Sequence, residues 1–464
     1  MNHLVVVPDG NPIFPAWCID HAIKLSSELN LVHFLNLQEL NTYASQRKIK
    51  KLSFRVSRKN RCLDILSKLC QVNGVFQHTV SSSKASGEFE KLGIEAKETF
   101  RLAMASKYGA VFGNRTVSLE ELPDDIVQKE RHFFLLAYRE TQRLITNHKI
   151  ESVSTVNGRL VVSSAVVVAS RDLGIEVKLL ETVDFLGNRY QVFDKSPHDL
   201  HEVAELQKDL WLMAGSSRNS DAQNFFENSY LSRLKVLRSK DYTFSDPYVR
   251  PPKGNRIASF FPTTDTEFPV FSDFHVASTF DGSQRNAFLA FAKIASEHEF
   301  HIVVRAHPQN PDSFHLGEQD DLIWRKLCKE VGAEFIGSLS GINSYDLIQK
   351  SDLCVTYSSS IGVEAILMGK PLIMLGESDY SNYIPRNLGY TSIAIRKLLE
   401  SGIPEISISA LYPWAYWNLR GGIEMTHFKV KPGVGLTYNN KRVDEIKYAF
   451  KLLKAILRKT KITA

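Results

Sequence analysis

The chain has no apolar run long enough to cross a bilayer, which argues against a membrane-spanning helix. Its opening residues, Met1 to Pro8, carry no basic region, apolar core or small-residue cleavage site, and read as a buried strand rather than an export signal. The five cysteines (Cys18, Cys62, Cys70, Cys328 and Cys354) are odd in number, scattered, and lack metal-ligand spacing. Neither a disulfide framework nor a cysteine metal site is expected, and reduced thiols point to the cytoplasm. There is no Asp-x-Asp, no P-loop and no linear Cys or His cluster, so neither a divalent metal nor another cofactor is expected. Internal repeats, heptads and low-complexity tracts are also missing. The net charge of +6 is too mild to indicate nucleic acid, but it permits an anionic small ligand or a membrane surface.

What is present is an alternation of short apolar runs with longer helical patterns along 464 residues, the signature of α/β layers in two domains. Strands are expected at His3–Val7, Leu31–Leu35, Ser152–Val156 and Glu176–Leu180. Helices are expected over Ala16–Leu29, Pro123–Asn147 and Leu160–Asp172, with Gly174 at a helix end. Turn formers concentrate between Ser245 and Asn255, where an interdomain linker is expected. A second series of strands follows at Arg256–Phe261, Phe300–Arg305, Glu334–Ile336, Leu353–Thr356 and Pro371–Leu375. The expected division is 1–245, 255–440, and a terminal amphipathic helix over 441–464. That helix either crosses back onto the first domain or touches a membrane surface through its lysines and arginines. The basic stretch Arg47–Arg61 reads as a solvated segment, with acceptor binding as its alternative.

Open parallel sheets bind ligands beyond the carboxyl ends of their strands, so the residues there carry the functional signal. After Leu353–Thr356 comes Tyr357-Ser358-Ser359-Ser360, then a helix with Gly362 and Glu364 in its first turn, and a Gly369-Lys370-Pro371 exit. Free N–H groups at a helix start, three small hydroxyls and a glycine suit a phosphate. A single serine would suffice merely to cap the helix. Glu364 suits ribose hydroxyls, or simply a favourable contact with the helix dipole. The strand Val303–Arg305 delivers Arg305 and the pair His307-Pro308. A histidine there can hold a phosphate or protonate a departing one. Arg305 suits a carboxylate or phosphate, or a structural ion pair.

Together, His307-Pro308, Tyr357-Ser358-Ser359-Ser360 and the Gly362, Glu364-Ala365, Gly369-Lys370-Pro371 run resemble bacterial capsule and lipopolysaccharide glycosyltransferases. Among these are the Kdo transferases and bacterial sialyltransferases with His-Pro and Ser-Ser motifs. The resemblance covers roughly residues 150–380. It implies a GT-B fold, with two Rossmann-like domains facing each other across a cleft. It also implies a donor nucleotide on the second domain, its phosphate met by His307 and the serines.

The turn Thr263-Thr264-Asp265-Thr266-Glu267 resembles the hydroxyl-rich acidic turn of such enzymes. Asp265 is thereby the candidate nucleophile of a retaining transfer. A cation site formed with Glu267, or a plain helix cap, are the alternatives. In the first domain, Asn157-Gly158-Arg159 and Glu181 sit at strand ends and also resemble capsule-type enzymes. Asn157 and Arg159 suit an acceptor sugar, and Glu181 a general base; turn and cap roles compete with both. Asp9, after the first strand, is a weaker acceptor-side candidate.

The expected activity is transfer from a nucleotide sugar, CMP-linked and Kdo-like, to a glycan or lipid-linked glycan. The competing readings are a nucleotide-sugar 2-epimerase, a teichoic-type polyol-phosphate transferase, and a non-catalytic carbohydrate-binding protein.

Overall fold

A computed structural model describes residues 2–8, 13–28, 31–37, 75–79, 89–112, 122, 124–184, 187–197, 199–230, 246–250, 256–263, 279–307, 316–431, 435–438 and 441–442. The chain divides into two compact units. One comprises residues 1–103, 118–197 and 421–464, and the other residues 104–117 and 198–420.

In the first unit, β1 (Asn2–Val7), α1 (Ile13–Ser26), β2 (Leu31–Asn36) and β3 (Phe76–Thr79) are followed by α2 (Ile94–Phe112) and α3 (Asp124–His148). Then come β4 (Ser152–Val156), α4 (Val161–Arg171), β5 (Glu176–Thr182) and β6 (Arg189–Phe193). The central strands run β3-β2-β1-β4-β5, all parallel, while β6 and the late strand β12 (Ile423–Glu424) add antiparallel at one edge. Parallel strands covered on both faces are buried throughout, and β4 is buried at all five positions, with Ser152 and Ser154 hydrogen-bonded to His3 and Thr155 to the Val6 carbonyl. Val5, Trp17, Phe34, Val156, Leu180 and Phe428 pack in one core of this sheet. Phe89, Phe100 and Phe134 pack edge-to-face beside α3. Helix α4 ends in a turn where Ile175 N–H reaches back to Ser170 O at 3.0 Å, and Gly174 takes the positive φ of 70° that this closure demands.

The second unit takes the end of α2 from residue 104, and its main segment opens with α5 (Leu200–Met213), capped by Asp199, which accepts from the N–H groups of His201 and Glu202. After α6 (Arg218–Asn224) and a π-helical turn at Phe225–Tyr230, the sheet begins. Its strands and helices are β7 (Arg256–Phe261), α7 (Gln284–Glu297), β8 (Phe300–Arg305), α8 (Leu316–Val331), β9 (Glu334–Ile336), α9 (Ser344–Lys350), β10 (Leu353–Thr356), α10 (Ile361–Leu367) and β11 (Leu372–Met374). Helices α11 (Ser392–Ser401) and α12 (Tyr412–Arg420) complete it. The five strands are all parallel, in the order β11-β10-β7-β8-β9. Phe260, Phe288 and Trp324 fill one face, and Val303, Cys354, Leu372 and Trp414 belong to a second core.

The mixed α/β architecture with parallel sheets agrees with the sequence expectation. The division differs from it at both boundaries. The turn-rich segment near 245–255 is not a free linker where it is described. Asp246 bridges to Ile342, and Tyr248 N–H donates to Asp346 Oδ2 at 2.6 Å, so this stretch packs on the second unit. Residues 199–230 join the same unit because their aromatic rings, Trp211, Phe225 and Phe226, pack on Tyr416 and Trp414 of α12. At the other end, the chain re-enters the first unit at Gly421 rather than at 440, pairing Ile423 with Tyr190. A small antiparallel sheet of β13 (Phe428–Lys431), β14 (Gly435–Tyr438) and β15 (Lys441–Arg442) follows. The expected terminal helix therefore begins with a strand at Lys441–Arg442, and residues 443–464 lie outside the described residues. The basic stretch Arg47–Arg61 lies outside them too. No helix among the described residues is long and apolar enough to cross a membrane.

Candidate functional site

Each sheet reverses its strand order once, between β1 and β4 in the first unit and between β7 and β10 in the second. At such a point two loops diverge and leave a crevice at the carboxyl edge. In the second unit the register fixes which residues meet there. Thr356 pairs with Phe261, and Val304 with Phe260, so the loops after β10, β7 and β8 leave the same edge.

The loop after β10 is Tyr357-Ser358-Ser359-Ser360. Ser358 and Ser359 are half-buried and Ser360 is exposed. Ser360 occupies the N-cap position of α10 but makes no side-chain cap bond; Ser359 Oγ accepts weakly from Ile361 N–H at 3.4 Å. One hydroxyl therefore serves the helix, which leaves Ser358 and Ser360 without a capping role. The helix has only seven residues, so its dipole is a minor asset and the hydroxyls and N–H groups are the stronger one. The turn is held from behind. Tyr380 donates its hydroxyl to Ser359 O at 2.7 Å, and Gly362 N–H reaches the same oxygen at 3.2 Å. Burial keeps the Tyr380 hydroxyl far above its ordinary pKa, so it remains a donor. A Cβ on Gly362 would lie 2.2 Å from Tyr380 Oη, so this glycine admits the tyrosine. Glu364 is buried in the first turn of α10.

The loop after β7 is clamped by Gln284, buried at the start of α7. Its Oε1 accepts from Thr263 N–H at 3.1 Å, and its Nε2 donates to Thr263 O at 3.0 Å. Asp265 and Glu267, two residues and four residues further on, lie outside the described residues, as do Pro308 and Asp9. Across β7, the Tyr357 hydroxyl donates to Thr279 O at 3.3 Å.

The loop after β8 carries His307, exposed immediately past the strand. Arg305 takes a different place. It is 1% exposed, and its guanidinium donates to the main-chain carbonyls of Gly337, Ser340 and Ile342. A guanidinium bonded to carbonyls in the interior holds the loop after β9, a structural place like the alternative to donor binding that the sequence leaves open.

In the first unit, Val156 pairs with Leu180, so Asn157 and Glu181 emerge at one edge. Asn157 is buried with φ of 40°, a left-handed conformation that asparagine tolerates better than most residues. Its Oδ1 accepts from Arg159 N–H at 3.1 Å, which spends that oxygen on shaping the turn. Arg159 is half-buried. Glu181 lies inside β5 rather than past its end, opposite Gln191, with Oε1 accepting from its neighbour's N–H, Thr182.

Sequence reasoning missed Tyr380, Gln284 and Asp379. Asp379 is a half-buried carboxylate that accepts from Trp414 Nε1 at 2.8 Å, and burial raises its pKa. None of the three lies at a strand end or in a periodic pattern, so nothing in the sequence marked them.

Residues 253–383 match the family model described as capsule polysaccharide biosynthesis protein. The resemblance expected from the serine and His-Pro motifs is borne out over that segment. The matched stretch runs from the edge of β7 through the serine turn and Tyr380. Among solved structures, the β-Kdo 2,4-transferase of Thermosulfurimonas dismutans KpsC is 16% identical, with 57% of this chain and 79% of that chain covered and a TM-score of 0.33. The β-Kdo 2,7-transferase of the same protein is 15% identical over 64% and 88%, with a TM-score of 0.33. A UDP-GlcNAc 2-epimerase from Neisseria meningitidis is 12% identical over 98% and 100%, with a TM-score of 0.30. No curated protein matches the chain.

Proposed function

We propose that the protein is a glycosyltransferase of surface-polysaccharide assembly, moving a sugar from a nucleotide-activated donor to a growing glycan or lipid-linked glycan. The observation that carries this reading is the serine turn at the switch point of the second sheet, braced by Tyr380 and lying within the segment that matches capsule biosynthesis. Two hydroxyls released from capping, at a strand-to-helix turn on the same sheet edge as His307, are suited to a diphosphate or monophosphate ester. Ser358, Ser359 and Ser360 hold the donor phosphate, and His307 binds it or protonates it as it departs. Glu364 takes the ribose.

A CMP-linked acidic sugar of the Kdo type is the proposed donor, after the motif resemblance. Asp265 is the proposed nucleophile of a retaining transfer, with Glu267 beside it on the sugar. Asn157, Arg159, Asp9 and Glu181 are the proposed acceptor-side set. No metal takes part in the transfer step under this reading, and the enzyme works in the cytoplasm on no nucleic acid.

Thermal stabilisation by CMP, UDP, GDP and CDP, each with and without Mg²⁺, tests the reading, because a ligand that binds only the folded state raises the melting temperature by mass action. A shift with CMP that is independent of Mg²⁺ and lost in a Ser358→Ala, Ser360→Ala double variant supports the Kdo-type donor. A shift with UDP or GDP keeps the transferase and changes the sugar. Absence of any shift overturns the donor site.

A further inference from the structure

The first unit brings together three histidines that no sequence spacing connects. His33 lies in β2, His78 in β3, and His148 is the last residue of α3. The parallel register pairs Leu35 with His78 and His33 with Phe76, so the two strand histidines point to the same sheet face two rungs apart. Helix α3 ends over that face. Lys149 turns the chain out with a φ of 50°, and Asn2 Nδ2 donates to His148 O at 3.0 Å, which fixes where the third imidazole sits. The ring centroids are 5.2 Å apart for His33 and His78, 4.5 Å for His33 and His148, and 5.0 Å for His78 and His148. One ligand nitrogen from each lies within 4.8 Å of the others.

We infer that His33, His78 and His148 form a binding site for a divalent transition metal of the zinc class, which fastens the edge strand β3 and the end of α3 to β2. The donor set is all imidazole, which suits zinc, copper or nickel and not magnesium or calcium. Three histidines with a water in the fourth position is an established zinc arrangement. In a tetrahedron with bonds near 2.0–2.1 Å the ligand nitrogens stand about 3.3 Å apart. His33 Nδ1 and His78 Nε2 already stand at 2.9 Å, and modest ring rotation closes the remainder.

Two further observations favour a cation over a plain ring stack. His33 is 2% exposed, and its buried Nε2 has no hydrogen-bond partner among the described residues. A buried ring nitrogen left in that state is costly, and a flip of the ring that presents Nε2 rather than Nδ1 to the metal removes that cost. The site also lies at the carbonyl end of a 25-residue helix, where the macrodipole favours positive charge. Nearby, Arg143 and Glu140 act on His78 with opposite signs and pair with each other at 2.8 Å, so their fields largely cancel. Among the described residues β3 is an edge strand with one pairing partner, and the metal ties it to β2 and to the end of α3.

The test uses the full chain, without a histidine tag and stripped by chelator, with Zn²⁺ alone as the probe. Metal per chain is measured after gel filtration, and the melting temperature is followed against Zn²⁺. The expected result is one Zn²⁺ per chain and a rise in melting temperature. His78→Gln and His148→Gln, both at half-buried positions, should weaken binding roughly tenfold or more while the exposed His201→Gln does not. Co²⁺ in the wild-type chain should show the visible absorption of a four-coordinate site, which decides the matter even if a variant fails to fold. Failure of the wild type to retain metal, or equal uptake by both variants, overturns the site.

Discussion

The Tyr380 hydroxyl meets the Ser359 carbonyl at 2.7 Å, across a gap that exists only because residue 362 has no side chain. The serine turn is thus shaped by a residue from beyond the next strand. Its free hydroxyls are held in place before any ligand arrives, and such preorganisation lowers the entropy cost of binding.

Tyr380→Phe removes that bond without changing the packing volume. The stability loss should be modest, about 1 kcal/mol, because Gly362 N–H still reaches the Ser359 oxygen. Nucleotide affinity should fall further than stability does, as the turn loosens. Gly362→Ala forces a methyl toward Tyr380 Oη and should cost about 1–3 kcal/mol together with binding. Chemical denaturation paired with nucleotide titration measures both. Unchanged affinity in Tyr380→Phe would show that the turn does not need its brace.

Arg305→Met should destabilise the second unit by about 2–4 kcal/mol, because it strips the donors from the carbonyls of Gly337, Ser340 and Ile342 in the interior. Arg305→Lys keeps the charge but not the planar fork, and should recover only part of the loss. Nucleotide affinity at a temperature where the variant is folded should stay near wild type. A stable Arg305→Lys protein that no longer binds nucleotide would return this residue to the donor site.

The strands Arg256–Phe261, Phe300–Arg305, Glu334–Ile336 and Leu353–Thr356 were legible to the residue, because parallel strands covered on both faces are continuous apolar runs bounded by polar turns. The serine turn was legible for the same reason, as it interrupts that pattern with small hydroxyl residues. What stayed hidden depends on distant partners. Nothing local announces that Ile423 pairs with Tyr190 or that Trp414 packs on Phe226, so the compact units divide the chain at other residues than the sequence suggests. Arg305 at a strand end looks the same from sequence whether it points to a ligand or into a ring of carbonyls. The histidines of β2, β3 and α3 gave no signal, because their convergence is made by register and by the end of a helix.

Acid should destabilise the first unit through a second, separate histidine pair. His3 and His21 are almost fully buried; His3 sits between Ser152 Oγ at 2.5 Å and Ser154 Oγ at 2.8 Å, and His21 Nε2 reaches Ser154 Oγ at 3.2 Å. Burial lowers the pKa of His3 from 6.5 to about 4 and that of His21 to about 3. Lys178 pushes His3 and Lys24 pushes His21 the same way, His3 disfavours charge on His21, and Glu176 opposes at His3. Around His21, Asp20 is engaged by Lys24 at 2.7 Å and by the N–H groups of Thr426 and His427, and Tyr190 packs edge-on to the ring. Because the folded pKa values lie below the unfolded ones, the unfolded chain binds protons first. Stability from these groups is whole above pH 6.5 and drains as pH falls toward 4 and then 3, at up to about 1.4 kcal/mol per pH unit for each histidine. The melting temperature should therefore drop between pH 6.5 and 4, and His21→Gln, which keeps a donor near Ser154, should show a shallower drop. An equally steep fall in a His3→Gln, His21→Gln double variant would place the acid sensitivity in other groups.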